Sequence, residues 1–199
     1  MEVTADKLCD WSNYYDFISD NFLYVCKDLD VVEIASFDGH QTLAIEHNHP
    51  RRLTLIEPNP AVTDKLKRKF PAARIIAEDV FEVYKHDVPA DVVVCCGFLY
   101  HLHSPLFLLE LIVEKSDPKF IVLDCTNVES FEQGDEEINT PGNRFSSLRK
   151  TAGVYVVAPY ATINLALENL GYKLIQYRDL SVLDVETKEN SWMAAWEKQ

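Results

Sequence analysis

Acidic side chains recur where apolar runs end in this 199-residue chain. Glu33 and Asp38 close the run that begins at Val31, Glu57 closes Leu53-Thr54-Leu55-Ile56, and Glu78 and Asp79 follow Ile75 and Ile76. A fourth run, Val92 to Cys96, ends on Gly97, Phe98, Leu99, Tyr100 and His101, with His103 close behind. Carboxylates accept hydrogen bonds from hydroxyls and amines and attract cations, while an imidazole can take or return a proton near neutral pH. His101 is therefore the first candidate for a general base, with His103 and Tyr100 next. None of these run ends offers an Arg or Lys to a phosphate.

The elements that position these residues follow from periodicity. Apolar runs of strand length lie near 31–35, 52–56, 74–77, 91–96, 119–125, 172–178 and 191–197, and helical patterns near 40–48, 60–70, 79–84, 105–115 and 160–170. Strands that alternate with helices, and are apolar on both faces, predict a mainly parallel sheet with helices on either side. The expected fold is α/β and Rossmann-like, with seven strands and the last one antiparallel. Residues 8–28 carry apolar residues at mixed three and four spacing, which predicts one or two amphipathic helices within the first thirty residues. Asn59 before Pro60, and Ser104 before Pro105, read as capping residues ahead of a proline in the first helical turn. Gly171 reads as a left-handed helix end. Residues 126–158 are polar and turn-rich, and a segment of that length over the carboxyl edge of a sheet reads as an insertion or a lid.

In such sheets the ligand lies beyond the carboxyl ends of the strands, where the strand order reverses. A pyrophosphate there needs several glycines for close backbone approach, and the first loop, Ala35-Ser36-Phe37-Asp38-Gly39, has one. S-adenosylmethionine carries no phosphate. It brings a sulfonium, an ammonium and ribose hydroxyls that Glu57, 18 residues after Gly39, is spaced to receive, and Asp79 can accept from its adenine amino group. The stretches Glu33 to Thr42 and Asp91 to Leu109, the latter with Gly97-Phe-Leu-Tyr100-His101, resemble class I S-adenosylmethionine-dependent methyltransferases. Tyr160 to Tyr172 resembles the late helix and strand start of the same proteins, including the tRNA wobble-uridine carboxymethyltransferases. The resemblance implies cofactor contacts from Glu33, Ala35, Ser36, Phe37 and Gly39 at the first strand and from Glu57 and Pro58 at the second. It implies further contacts from Asp79 and Val80 at the third strand and from Gly97 and Phe98 at the fourth. Ser36 stands where the wider superfamily most often has glycine, which implies a narrowed space beside the methionine end. In-line displacement at the sulfonium methyl is the implied reaction.

Composition bounds the rest. The length suits one methyltransferase-like domain over residues 1–199, able to bury roughly 70% of the surface of its unfolded chain. A net charge of −13 opposes a polyanionic partner, so a small-molecule acceptor is expected and a tRNA acceptor is the rival reading. A binding or interaction module that kept the fold without the chemistry is the reading from another class. Arg144, Arg149 and Lys150 in the turn-rich segment could clamp an anionic acceptor, and Lys65 to Lys69 reads as a solvated helix face. Five cysteines, odd in number and set within apolar patterns, fit a reducing cytoplasm, and no apolar run is long enough to cross a membrane. His47-Asn48-His49 and His101-Leu102-His103 lack further ligands at metal-site spacing, so no metal is expected.

Overall fold

Val31, Val32 and Ile34 are flanked on both sides by strands as apolar as their own, and this continuity lets their run sit at the centre of a sheet. The computed structural model describes residues 11–102, 104–126, 159–180 and 191–199. In chain order its strands are β1 (Asp30–Ile34), β2 (Arg52–Ile56), β3 (Arg74–Ile76), β4 (Val92–Cys96), β5 (Phe120–Thr126), β6 (Tyr172–Asp179) and β7 (Ser191–Lys198). They form a 7-stranded sheet in the order β3-β2-β1-β4-β5-β7-β6. β1 to β5 run parallel, and β7 lies antiparallel between β5 and β6. The order reverses between β1 and β4, which opens the crevice at their carboxyl ends.

The helices are α1 (Trp11–Asn21), α2 (His40–His47), α3 (Pro60–Lys69), α4 (Val80–Val83), α5 (Pro105–Ser116) and α6 (Tyr160–Asn169), with short 3-10 helices at Leu23–Cys26 and Leu99–His101. Two apolar clusters cover the two faces of the sheet. Side-chain alternation sends Cys95 into the cluster built with α4, α5 and α6, and Cys96 into the one built with α1, α2 and α3. On the second face Tyr14, Ile18 and Phe22 form one buried stripe at helical spacing. Asn48 Nδ2 donates to Ser19 Oγ at 2.8 Å and ties α1 to α2.

The capping residues behave differently from one another. Asn59 Oδ1 accepts from the Ala61 N–H at 3.0 Å, as its place before Pro60 predicts. Ser104 occupies the corresponding position before α5, but its side chain makes no capping bond; Pro105, buried and fixed in φ, starts that helix alone. Residues 126–158, read above as an insertion or lid, fall almost wholly outside the described residues, as do Cys9, His103, Arg144, Arg149 and Lys150. Among the described residues no helix is long and apolar enough to cross a membrane.

Cationic side chains gather at the amino edge of the sheet, opposite the crevice. Arg51 bridges Asp30 at 2.7 Å and Asp91 at 2.9 Å, Lys119 pairs with Asp91 at 2.9 Å, and Arg52 also pairs with Asp30. Hydrogen bonds from Arg52 and Arg51 hold the Asp30 carboxyl far below the usual carboxylate range. This lattice joins the starts of β1, β2, β4 and β5 and places those Arg and Lys charges at the edge opposite the crevice.

At the other edge, Gly39 (φ +74) lets the loop after β1 lie against α3: a Cβ there would collide with the Phe70 ring and crowd Leu66. Gly171 (φ +89) is left-handed too, yet open space surrounds it. Replacing Gly171 with Ala should cost about 1 kcal/mol for the left-handed backbone alone, and Gly39→Ala about 3 kcal/mol because overpacking adds to it. Urea unfolding of the two variants reads the difference; equal losses would mean that the Gly39–Phe70 approach is not tight.

Candidate functional site at the carboxyl ends of β1, β2 and β4

The strand tips converge through hydrogen bonds that centre on two carboxylates. Glu57, just past β2, accepts from the Phe37 N–H at 3.2 Å on one oxygen and from the Asn59 N–H at 2.9 Å on the other. It is nearly buried, at 7% exposure, and desolvation raises its pKa against the pull of those two N–H groups. Both N–H bonds fix the plane of the carboxylate and leave each oxygen a second lone pair.

Glu33 lies deeper, inside β1. The Thr42 hydroxyl in the first turn of α2 donates to its Oε2 at 2.6 Å, which fastens the helix to the strand across the loop. Burial pushes the Glu33 carboxyl up to about 7; the hydroxyls of Thr42 and Ser36 work against that shift, and the charges of Asp38 and Glu57 add to it. Ser36 is buried, and its Oγ completes no hydrogen bond of ordinary geometry. Neither Glu33 nor Glu57 pairs with an Arg or Lys among the described residues.

The loop between these carboxylates has an unusual backbone. Ala35 (φ 59), Phe37 (φ 44) and Gly39 (φ 74) alternate in the left-handed region, so non-glycine residues hold two of its three left-handed positions. Ser36 is buried, and Ala35 and Phe37 on either side of it carry the backbone conformation that glycine favours. The loop is held by the Ala35 N–H donating to the Ile56 carbonyl at 2.9 Å and by Lys69 Nζ donating to the Asp38 and Gly39 carbonyls at 3.3 and 3.4 Å. Lys69 is the one residue of the solvated Lys65 to Lys69 face that reaches the loop, bringing a cation that its helical position did not advertise.

At the third tip, Asp79 Oδ1 accepts from the Phe81 N–H at 2.9 Å and caps α4 ahead of the buried Val80, so its second oxygen is the one available to a ligand. Pro58 lies half-buried between Glu57 and Asn59. At the fourth tip the Gly97 N–H donates to the Asp124 carbonyl at 3.1 Å, Phe98 is buried, and the half-buried Tyr100 and His101 rings lie 4.3 Å apart. A Cβ on Gly97 would meet only the Tyr100 hydroxyl, at an ordinary 3.6 Å; its φ of +67, not crowding, calls for glycine. The structure thus brings Glu33, the 35–39 loop and Glu57 into direct contact, with Asp79, Val80, Gly97, Phe98, Tyr100 and His101 on the neighbouring tips.

Two side chains that the sequence reading does not place at the site, Asp124 and Thr42, also belong to this region. The Tyr14 hydroxyl of α1 donates to Asp124 Oδ2 of β5 at 3.1 Å, across 110 residues. Burial first, and the Asp124 charge second, keep that phenol protonated. The neighbouring Tyr15 is pushed up to about 12 by burial and by Asp38 and Asp124, so both acids act at the rim beneath α1. A single carboxylate within the apolar run Phe120 to Cys125 was the sequence signal for Asp124; Thr42, a polar side chain on the inner face of α2, gave a weaker one.

The buried Glu33 has a consequence for stability. It binds its proton more tightly in the folded than in the unfolded chain, so its contribution is complete below pH 4.5 and is lost as pH rises through about 7. Glu33→Gln should flatten that decline and exceed the wild type at pH 8 by at most about 3 kcal/mol. Denaturant unfolding of the ligand-free proteins across pH 4 to 8 measures it, and identical slopes would contradict the assignment.

No protein-family model matches the chain. It is 29% identical over 106 residues to the tRNA U34 carboxymethyltransferase of Pseudoalteromonas translucida (strain TAC 125), a match covering 52% of this chain and 31% of that protein. The chain therefore spans about a third of the length of that curated relative. Among solved structures it superposes on magnesium protoporphyrin IX methyltransferase from Synechocystis PCC 6803, determined with bound S-adenosylmethionine: TM-score 0.65, 10% identity, covering 95% of this chain and 80% of that one. It also matches N-methyltransferase NodS from Bradyrhizobium japonicum WM9, with TM-score 0.64 and 14% identity over 94% of this chain and 96% of that one. An S-adenosylmethionine-dependent methyltransferase from Mesorhizobium loti gives 0.66 at 11% identity over 98% and 100%. The fold of this chain is that of the class I S-adenosylmethionine-dependent methyltransferases.

Proposed function

We propose that the chain is an S-adenosylmethionine-dependent methyltransferase acting on a small-molecule acceptor. The observation that carries this reading is the crevice itself: buried Glu33 and Glu57 meet a left-handed loop at the strand-order reversal, with no Arg or Lys partner for either acid among the described residues. Such a site suits a cationic ligand rich in hydroxyl and amine donors and disfavours a pyrophosphate. Glu57 receives the ribose hydroxyls on its remaining lone pairs, Asp79 and Val80 bound the adenine, and Gly97 and Phe98 line the fourth strand tip. Ala35, Ser36, Phe37 and Gly39 border the methionine end, with the Ser36 hydroxyl and Glu33 beneath them as polar groups for the ammonium. Pro58 restricts the backbone after Glu57.

The bound cofactor supplies an electrophilic methyl on a sulfonium. This chain's residues hold the acceptor in line with it, and positioning supplies most of the rate. His101, half-exposed at the β4 tip against Tyr100, takes the proton from an acceptor that must lose one. Tyr100 and His103 are the further candidates for that role.

The match to a tRNA U34 carboxymethyltransferase favours a second reading, a nucleic-acid acceptor, against which the net charge of −13 weighs. Transfer of a carboxymethyl group would require a donor that already carries that group on its sulfonium in place of the methyl. The cytoplasm suits either reading.

S-adenosylmethionine or S-adenosylhomocysteine at a hundredfold excess over Kd should raise the unfolding free energy by about 2.7 kcal/mol. Glu57→Gln, which keeps the side-chain volume, should remove that gain; stabilisation of neither kind in the wild type would end the cofactor reading. Titration with tRNA separates the acceptors. Weak binding is expected at 150 mM salt, and tight binding with a steep salt dependence would reverse the choice of a small acceptor.

A further inference from the structure

The cations of this acidic chain are gathered along one stretch. Residues 51–74 carry seven Lys and Arg against two acids, one of them the buried Glu57, while the rest of the chain carries twelve against thirty. Four of the seven are engaged within the fold. Arg51 and Arg52 bind the Asp30 and Asp91 carboxylates, Lys67 pairs with Asp64 at 3.7 Å, and Lys69 donates to the Asp38 and Gly39 carbonyls. Lys65, Arg68 and Arg74 are exposed and form no ion pair or side-chain hydrogen bond among the described residues. Lys65, Arg68 and Lys69 stand at i, i+3 and i+4 on α3, hence on one helix face, away from the buried Thr63 and Leu66. Arg74 opens β3, the outermost strand, and its pairing with Thr54 puts it on the same sheet face as Arg52. The helix dipole accounts for Lys67, Arg68 and Lys69 in the last turn, but not for Lys65 in mid-helix or for Arg74 beyond it. Like charges four apart on a helix repel, so folding gains nothing from Lys65 beside Lys69.

We propose that Lys65, Arg68 and Arg74, bordered by Arg52 and Lys69, form a docking surface for a short acidic segment of a partner protein. The size of the patch and the charge around it select that occupant. A helix of ten residues is about 15 Å long, which matches roughly five residues of an extended chain. Carboxylates suit the two guanidinium groups, which bind them through paired N–H bonds. Outside residues 51–74 acids outnumber cations, so a longer polyanion such as an RNA duplex meets repulsion on either side of the patch. The attraction reaches only about 8 Å at physiological salt, so contact is local and salt-sensitive. Docking here is independent of what fills the crevice.

Fluorescence anisotropy of a labelled hexaglutamate peptide titrated with the full chain tests this. The variant Lys65→Gln/Arg68→Gln/Arg74→Gln removes the patch with a residue of similar helix propensity. The control Lys85→Gln/Lys173→Gln/Arg178→Gln removes the same charge from exposed positions elsewhere. The wild type is expected to bind saturably at 50 mM salt and about tenfold more weakly at 200 mM. The patch variant should lose about tenfold in affinity at 50 mM salt, and the control should match the wild type. Absence of saturable binding in the wild type, or equal losses in the two triple variants, would overturn the docking surface. Tighter binding of a 20-base-pair RNA duplex than of the peptide would overturn the protein partner in favour of a nucleic acid. Urea unfolding midpoints of both variants should equal that of the wild type; a lower one in the patch variant would give these cations a structural role and overturn the assignment equally.

Discussion

The crevice depends on keeping Glu57 buried and bonded by both oxygens. Its carboxylate ties the loop after β1 to the turn after β2, through the Phe37 and Asn59 N–H groups. A buried carboxylate is tolerable only where donors replace water, and here the donors are backbone amides whose positions the sheet already fixes. Glu33 repeats the device one layer lower with the Thr42 hydroxyl, and so anchors α2. The loop between the two acids has little freedom left, which is how it sustains left-handed Ala35 and Phe37 where glycine would be easier.

Charge is divided between the two edges of the sheet. At the amino edge Asp30 and Asp91 are neutralised by Arg51, Arg52 and Lys119. At the carboxyl edge Glu57 accepts from two backbone amides, and Glu33 and Asp124 accept from hydroxyls, so no Arg or Lys among the described residues cancels the negative potential of Glu57. Lys69 donates to the Asp38 and Gly39 carbonyls and lies over the Phe70 ring. A ligand with a sulfonium and an ammonium complements that potential, and the α1 tyrosines border it, Tyr14 through Asp124 and Tyr15 between the fields of Asp38 and Asp124.

Much of this was legible in the sequence, for identifiable reasons. Strands apolar on both faces, with Pro60 and Pro105 starting helices and Gly171 ending one, pin their elements to within a residue or two. Glu57 and the acidic tips could be read because their spacing from a strand end is set by the fold. The left-handed positions could not. They alternate through 35, 37 and 39, and Ala35 and Phe37 carry no compositional mark of positive φ. Long-range partners were equally hidden: Tyr14 meets Asp124, and Lys69 meets the loop, only because the sheet order brings β5 and α3 to the crevice.

The central claim is that S-adenosylmethionine occupies the space bounded by the 35–39 loop, Glu57 and the β4 tip. Amide chemical shifts during titration with S-adenosylhomocysteine test it residue by residue. The largest changes are expected at Phe37, Glu57, Asn59, Asp79 and Gly97, with the amino-edge amides of Asp30, Asp91 and Lys119 unmoved. Saturable binding with those crevice amides undisturbed would contradict it.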